Sequence, residues 1–393
     1  MVLVTKRIIL DCDPGHDDAI AILLALGCPD IELVAITTVA GNQTLEKTTL
    51  NARRVCTVAG AYDVPIYAGS WRPLTRPQVT AVDVHGASGL DGPVFGEPAV
   101  PLQQEPAVDY LVRTLMAEGE DITLVPTGPL TNVATALRRE PKIAGRTREV
   151  VLMGGAYTRG NITPAAEFNM FADPEAAAAV FGAGWPLTMV GLELTHQAIA
   201  TSQVTERIRA LDTDVSRMVT ALLDFYGASY RRSGIPGAGD GPPVHDPCAV
   251  ARVARPGLMT AEDAFVAVET HGEWTAGMTV TDFRGALGRP VNAKVATTLD
   301  AGAFWDLVLD ALRAIGAPSA APVGGREDAA SGPPGGPVGS PPRDASGGPA
   351  GVAAGSPPGE ATSSLTGDAA DGPPGDAAGG PAGEAAGGAS GDA

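Results

Sequence analysis

Positive charge is scarce in this 393-residue sequence: 27 lysines and arginines stand against 45 aspartates and glutamates, a formal net charge of −18. That balance disfavours wrapping phosphate backbones or lying on anionic lipid, so no nucleic-acid or membrane partner is expected. Cysteine is scarce too. Cys12, Cys28, Cys56 and Cys248 form no C-x-x-C pair and sit in apolar surroundings, which reads as reduced packing thiols rather than a disulfide frame or zinc site, and points to the cytoplasm. Long apolar runs are missing as well. No stretch approaches the roughly 18 apolar residues of a membrane span, and Lys6-Arg7 arrives too early for a signal core, so a soluble, unexported protein is expected.

Aromatic residues disappear from position 317 onward, where Gly, Pro, Ala, Ser and Asp dominate and nine acidic residues face two arginines. Such a segment cannot bury enough apolar surface to offset the entropy of ordering it, so 317–393 is expected to be a disordered acidic tail. The irregular P-P-G and A-G-G repeats lack the glycine period of a collagen helix. Residues 1–316 are then one large folded domain.

Within that domain, short β-branched runs alternate with helical patterns. Arg7–Leu10, Leu33–Val39, Pro65–Ala68, Ile122–Pro126, Glu149–Met153 and Leu187–Val190 read as strands. Asp18–Leu26, Leu45–Ala59, Ala107–Ala117, Asn132–Arg138 and Asp173–Phe181 read as helices. The order predicts an α/β fold, a mostly parallel central sheet flanked by helices, because parallel neighbours need crossover connections. Ligands of open α/β sheets bind at the carboxyl ends of the strands. The loops there are rich in oxygen and poor in basic residues: Asp11 to Asp18, Ala40-Gly41-Asn42, Pro126 to Asn132, Met153-Gly154-Gly155, Asn161 to Asn169 and Val244-His245-Asp246-Pro247.

Asp11, Asp13, Asp17 and Asp18 crowd one strand-to-helix turn, where like charges raise each other's pKa unless something neutralises them. A hard cation answers that need, and calcium, which takes 6–8 oxygen ligands, suits loops without nearby Cys or paired His. A plainer reading places Asp17 and Asp18 in the first turn of a helix, where acids are favoured anyway. Taken alone, the cluster names no reaction.

The segment Asp11-Cys12-Asp13-Pro14-Gly15-His16-Asp17-Asp18-Ala19-Ile20-Ala21 resembles the N-terminal signature of the nucleoside hydrolases. Matching blocks follow in that family's order at Ala40-Gly41-Asn42, His85-Gly86 with Gly89 to Gly92, Pro126-Thr127-Gly128, Met153-Gly154-Gly155, Asn161 to Asn169 and His245-Asp246-Pro247. The resemblance covers about residues 6–312 and is greatest to the pyrimidine-specific members. It implies a Rossmann-like nucleoside hydrolase fold and calcium-dependent hydrolysis of a small-molecule ribonucleoside, uridine or cytidine, in nucleoside salvage by a homodimer or homotetramer. It further implies that Asp13, Asp18, Asp246 and the Thr127 carbonyl hold Ca²⁺, and that Asp13 accepts a proton from the attacking water. Asp17, Asn42, Asn161, Glu167 and Asn169 would hold the ribose, and His245 would lie near the leaving base.

That chemistry needs a water on one face of an oxocarbenium-like sugar, hydrogen bonds to its hydroxyls, and help for the departing base. Each residue also has a plainer alternative. Asn161 and Asn169 fit turns, Glu167 a solvated surface, His85 a cap on the Gly86–Gly92 loop or a substrate contact, and Asp246 before Pro247 a helix N-cap. In the helical stretch Asp214–Arg231, Tyr226 and Tyr230 share one face and are expected either to overhang the base or simply to pack. The Gly-rich segment Ser233–Pro243 after it has the composition of a closing loop. Two other functions compete: a phosphohydrolase using Asp11-x-Asp13, weakened by Pro14-Gly15 and the lack of a lysine in the matching loops, and a non-catalytic nucleoside sensor.

Overall fold

The computed structural model describes residues 5–117, 121–233 and 240–316. The expected tail, 317–393, and most of the expected closing loop lie outside the described residues. Among the described residues nine strands form one sheet: β1 (Lys6–Cys12), β2 (Ile31–Thr38), β3 (Ile66–Ala68), β4 (Ile122–Pro126), β5 (Glu149–Met153), β6 (Leu187–Val190), β7 (Met259–Val268), β8 (Thr279–Asp282) and β9 (Ala293–Leu299), in the order β3-β2-β1-β4-β5-β6-β9-β7-β8. From β3 to β9 every pairing is parallel; β7 then pairs antiparallel with β9 and β8. All six strands read from the sequence are present, and the helices agree to within one or two residues.

The reason lies in burial. Parallel strands covered by helices on both sides bury successive side chains on opposite faces, so they read as short continuous apolar runs. Ile8 and Leu10 join the core beneath the helix His16–Gly27, whereas Ile9 between them joins the core with Leu111 and Val133 on the opposite face. The antiparallel extension was not legible, because β7 carries Glu262 and Asp263 in its middle and β8 has only four residues.

β1 sits between β2 and β4, pairing Asp11 with Thr37 on one side and Pro126 on the other. The strand order reverses direction there, so the loops leaving β1 and β4 part and open a crevice at their carboxyl ends. The helix His16–Gly27 runs back from that crevice and packs on the helices Asp246–Ala254 and Ala301–Gly316. Its last residue makes the approach possible: a Cβ on Gly27 would fall 2.2 Å from the Ala311 carbonyl oxygen. No helix among the described residues is long and apolar enough to cross a membrane.

Candidate active site

A cavity of about 220 Å³ opens at the crevice. Its lining draws on loops after β1, β2, β4 and β5, on the one-turn helix Val82–His85, on the helix Asp214–Ser233 and on the head of the helix Asp246–Ala254. Asp17, Asn42, His85, Asn161, Glu167, Asn169, Tyr226, Tyr230, Thr127, His245 and Asp246, all singled out in the sequence, line it. Among the described residues no lysine or arginine does.

Asp13 and Asp18 lie at full burial beneath this lining. The Asn42 amide donates to Asp13 Oδ2 at 2.6 Å, while Asp13 Oδ1 is buried with no hydrogen-bond partner. Gly41 and Gly128 make room for that carboxylate: a Cβ on either would stand 2.1 or 2.5 Å from one of its oxygens. Asp18 accepts from the Gly15 amide at 3.0 Å, the Thr127 hydroxyl at 2.9 Å and Asn42 Nδ2 at 3.3 Å. The first of these bonds closes the N-terminus of the helix, so the plainer reading of Asp18 holds alongside any other.

Across the cavity, Asp246 is the first residue of its helix, with His245 rather than Asp246 at the N-cap position. Its carboxylate instead converges with those of Asp17 and Asp18, one oxygen of each lying within 4.8 Å of the others. Burial, followed by the charge of neighbouring aspartates, raises Asp13 and Asp246 well above the ordinary carboxylate range, and pushes Asp17 up to about 7. Burial raises Asp18 as well. Carboxylates so placed repel one another and lack a protein cation, which is the environment a hard, oxygen-seeking divalent ion neutralises. The unpartnered Asp13 oxygen and its glycine cradle fit the same ion. Thr127 contributes a carbonyl that accepts from Asn169 Nδ2 at 2.8 Å and keeps a second lone pair.

Glu167 and Asn169 are buried rather than surface or turn groups, whereas Asn161 is half-buried in a turn, its amide donating to the Ala166 carbonyl at 3.2 Å. Glu167 is buried and caps the short helix Phe168–Ala172, accepting from the amides of Gly155, Asn169 and Met170, and burial pushes its carboxyl up to about 7. Asn161 Oδ1 accepts from the Phe168 amide at 2.9 Å, which leaves its NH₂ for another partner. The Gly86–Gly92 loop is capped by Asp91, which accepts from the Ala87 and Ser88 amides, so His85 is released from that duty and points into the cavity wall.

His245 sits in a polar chain. Its Nδ1 lies 2.8 Å from the Thr195 hydroxyl and its Nε2 2.8 Å from the Tyr230 hydroxyl; Tyr226 stands edge-on to Tyr230 and donates to Asp17 at 3.4 Å. Burial lowers His245 to about 3, leaving it neutral. The Tyr226 ring is almost fully buried and stacks on His16 and His85, with centroids 5.3 and 5.4 Å apart, so it packs and walls the cavity at once.

Sequence reasoning missed His16, Thr195 and most of Thr80 to Val84. His16 stood in plain view inside the aspartate motif, and only its stacking partners give it a place. Thr195 and the 80–84 turn carry no local signal.

A family model described as inosine-uridine preferring nucleoside hydrolase matches residues 8–306. The chain is 50% identical over 315 residues to the inosine-uridine preferring nucleoside hydrolase of Crithidia fasciculata, covering 80% of this chain and 99% of that protein. It is 47% identical over 311 residues to a pyrimidine-specific ribonucleoside hydrolase, RihA, of Shewanella baltica, covering 79% and 96%. Among solved structures, a purine-preferring ribonucleoside hydrolase from Gardnerella vaginalis superposes with a TM-score of 0.74 at 33% identity, covering 79% of this chain and 99% of that one.

Proposed function

The chain belongs to the inosine-uridine preferring nucleoside hydrolase family, and from that premise we propose how its site splits a ribonucleoside, with uridine and cytidine as substrates and calcium as the metal. It is an N-glycosyl hydrolase, releasing ribose and free base. The observation that carries the mechanism is the convergence of Asp17, Asp18 and Asp246, with buried Asp13 close enough to act on Asp246 electrostatically, on the floor of a cavity lined by no lysine or arginine among the described residues.

In this reading Asp13, Asp18, Asp246 and the Thr127 carbonyl hold the cation, and Asp17, which geometry groups with Asp18 and Asp246, divides its oxygens between that cluster and the sugar. When bound, the ion supplies positive charge that makes water more acidic and steadies the carboxylates. Asp13 takes the proton from the attacking water, its carboxylate held in place by the Asn42 amide, which donates to Oδ2. Asn42, Asn161, Glu167 and Asn169 grip the ribose hydroxyls as the sugar flattens and gains charge. His85, Tyr226 and Tyr230 wall the base. Neutral His245 helps the base leave through the Thr195–His245–Tyr230 chain, as a hydrogen-bond partner rather than a standing cation.

Residues 1–316 are the catalytic domain in this proposal, and the protein is a cytoplasmic homodimer or homotetramer. Four buried, unpaired thiols support a reducing compartment. The test is release of reducing sugar from uridine, cytidine, inosine and adenosine, with calcium and then with a chelator. Faster release from the two pyrimidine nucleosides, lost on chelation and regained with calcium, is expected; purine preference would overturn the substrate assignment, and activity indifferent to chelation the metal.

A further inference from the structure

The acids on the cavity floor are all buried, but one more carboxylate belongs to the lining. Asp83, in the one-turn helix Val82–His85, is exposed to solvent while it borders the same cavity. The helix is pinned at both ends: the Ala81 amide donates to the Asn42 carbonyl at 3.0 Å, the Val84 and His85 amides both donate back to the Ala81 carbonyl, and the His85 ring accepts from the His16 amide at 3.2 Å. Asp83 is therefore held at the mouth, two residues from His85, which is buried in the wall.

The sugar must lie over the floor, where Asp13, Asn42, Glu167 and Asn169 are, because the water attacks there. The base then extends toward the mouth. A carboxylate offers only acceptors, so it rewards the 4-amino group of cytosine, which stands opposite the glycosidic nitrogen at the outer end of the ring, and not the 4-carbonyl that uracil carries in its place. No lysine or arginine of the lining competes for Asp83 or offers a compensating donor to a carbonyl.

We infer that Asp83 is a specificity-determining residue that favours nucleosides whose base presents an exocyclic amino group, so that cytidine is preferred over uridine. The inference rests on the hydrolase reading above and deepens it. A site that hydrogen-bonds a substrate N–H discriminates against the analogue lacking it, and a charge-assisted bond at a partly hydrated mouth corresponds to a ratio of roughly five to ten.

The experiment compares kcat/KM for cytidine and uridine in the calcium-loaded full chain and in its Asp83→Ala and Asp83→Asn variants. Expected is a fall in the cytidine-to-uridine ratio of roughly five- to tenfold for Asp83→Ala and a smaller fall for Asp83→Asn, which keeps an acceptor but loses the charge. Circular dichroism should be unchanged in both, since Asp83 is exposed. A ratio that stays constant, or a common loss on both substrates, overturns the inference while leaving the hydrolase reading intact. Absence of ribose release from either nucleoside by the unmodified chain would overturn both.

Discussion

At the carboxyl edge of the parallel strands, Asp13, Asp17, Asp18 and Asp246 are buried with no cationic side chain among the described residues of the cavity lining. On the antiparallel extension β7–β9, Asp263 meets Lys294 at 2.9 Å with both side chains more than half exposed. One region concentrates like charge away from water, and the other neutralises it pair by pair in water. The first arrangement raises carboxylate pKa values and costs stability; the exposed pair contributes little to stability. A fold tolerates the first only where a ligand repays it, so the electrostatically unfavourable end of the sheet is the functional end.

The largest effect should come from Asp13→Asn. A lost proton acceptor lowers kcat by about a thousandfold, while the metal-free variant melts at a higher temperature than the unmodified chain, because one of the mutually repelling buried carboxyls is gone. Steady-state kinetics and calorimetry on one preparation check both halves. A lowered melting temperature would break the comparison by making Asp13 a stabilising group.

Next is the pH dependence of Glu167. Its folded pKa, about 7, lies above the unfolded value of about 4.5, so the folded state holds the proton longer. Its contribution to stability is complete below the unfolded value and is lost as pH rises toward and through 7. Metal-free Glu167→Gln should therefore gain on the unmodified chain between about pH 4.5 and 7, by on the order of 3 kcal/mol at pH 8 relative to pH 4. Urea titrations across that range that run parallel for the two proteins would contradict the assignment.

A smaller effect tests whether the two regions are as separate as their charges suggest. The Thr279 hydroxyl on β8 accepts from the Ala156 amide at 2.8 Å and donates to the Ala156 carbonyl at 2.6 Å, bracing the Gly154-Gly155 turn whose amide holds Glu167. Gly155 adopts φ +79 there, a conformation that side chains strain to follow. Thr279→Val should cost about 1–2 kcal/mol of stability and lower kcat/KM a few-fold, seen in denaturant melts and initial rates. An unchanged kcat/KM would leave β8 with packing alone. The smallest effect belongs to Lys294→Ala, expected within about 0.5 kcal/mol of the unmodified chain with full activity, since exposed pairs contribute little.

Strands β1 to β6 were legible because burial on both faces writes itself as uninterrupted β-branched segments, and Asp13, Asp18, Asn42 and Thr127 because each follows such a segment; β9, parallel to β6, was not read. The turn at 80–84 was not, since a single helical turn in the long irregular stretch between β3 and Ala107 has no period to detect. Asp17 shows a different limit. Its place in the first helical turn explained it locally, yet its Oδ2 accepts from the His245 amide at 3.2 Å across 228 residues of chain, a contact that no local pattern encodes. Asp246 was read as a metal ligand that could also cap its helix; the chain turns one residue earlier, His245 takes the N-cap position, and the carboxylate of Asp246 joins the cluster.

What the sequence determined by itself is the alternation of strand and helix, the inventory of oxygen donors and the want of positive charge, all of them properties of short windows or of composition. Only the tertiary structure decided that carboxylates from the two ends of the domain share one cavity floor, that Glu167 is capped and buried, and that Thr195 and Tyr230 hold His245 between them. Those facts depend on the reversal of strand order beside β1, which opens a crevice and draws distant loops to it, and a chain folded through that point brings together groups that repel until something else enters.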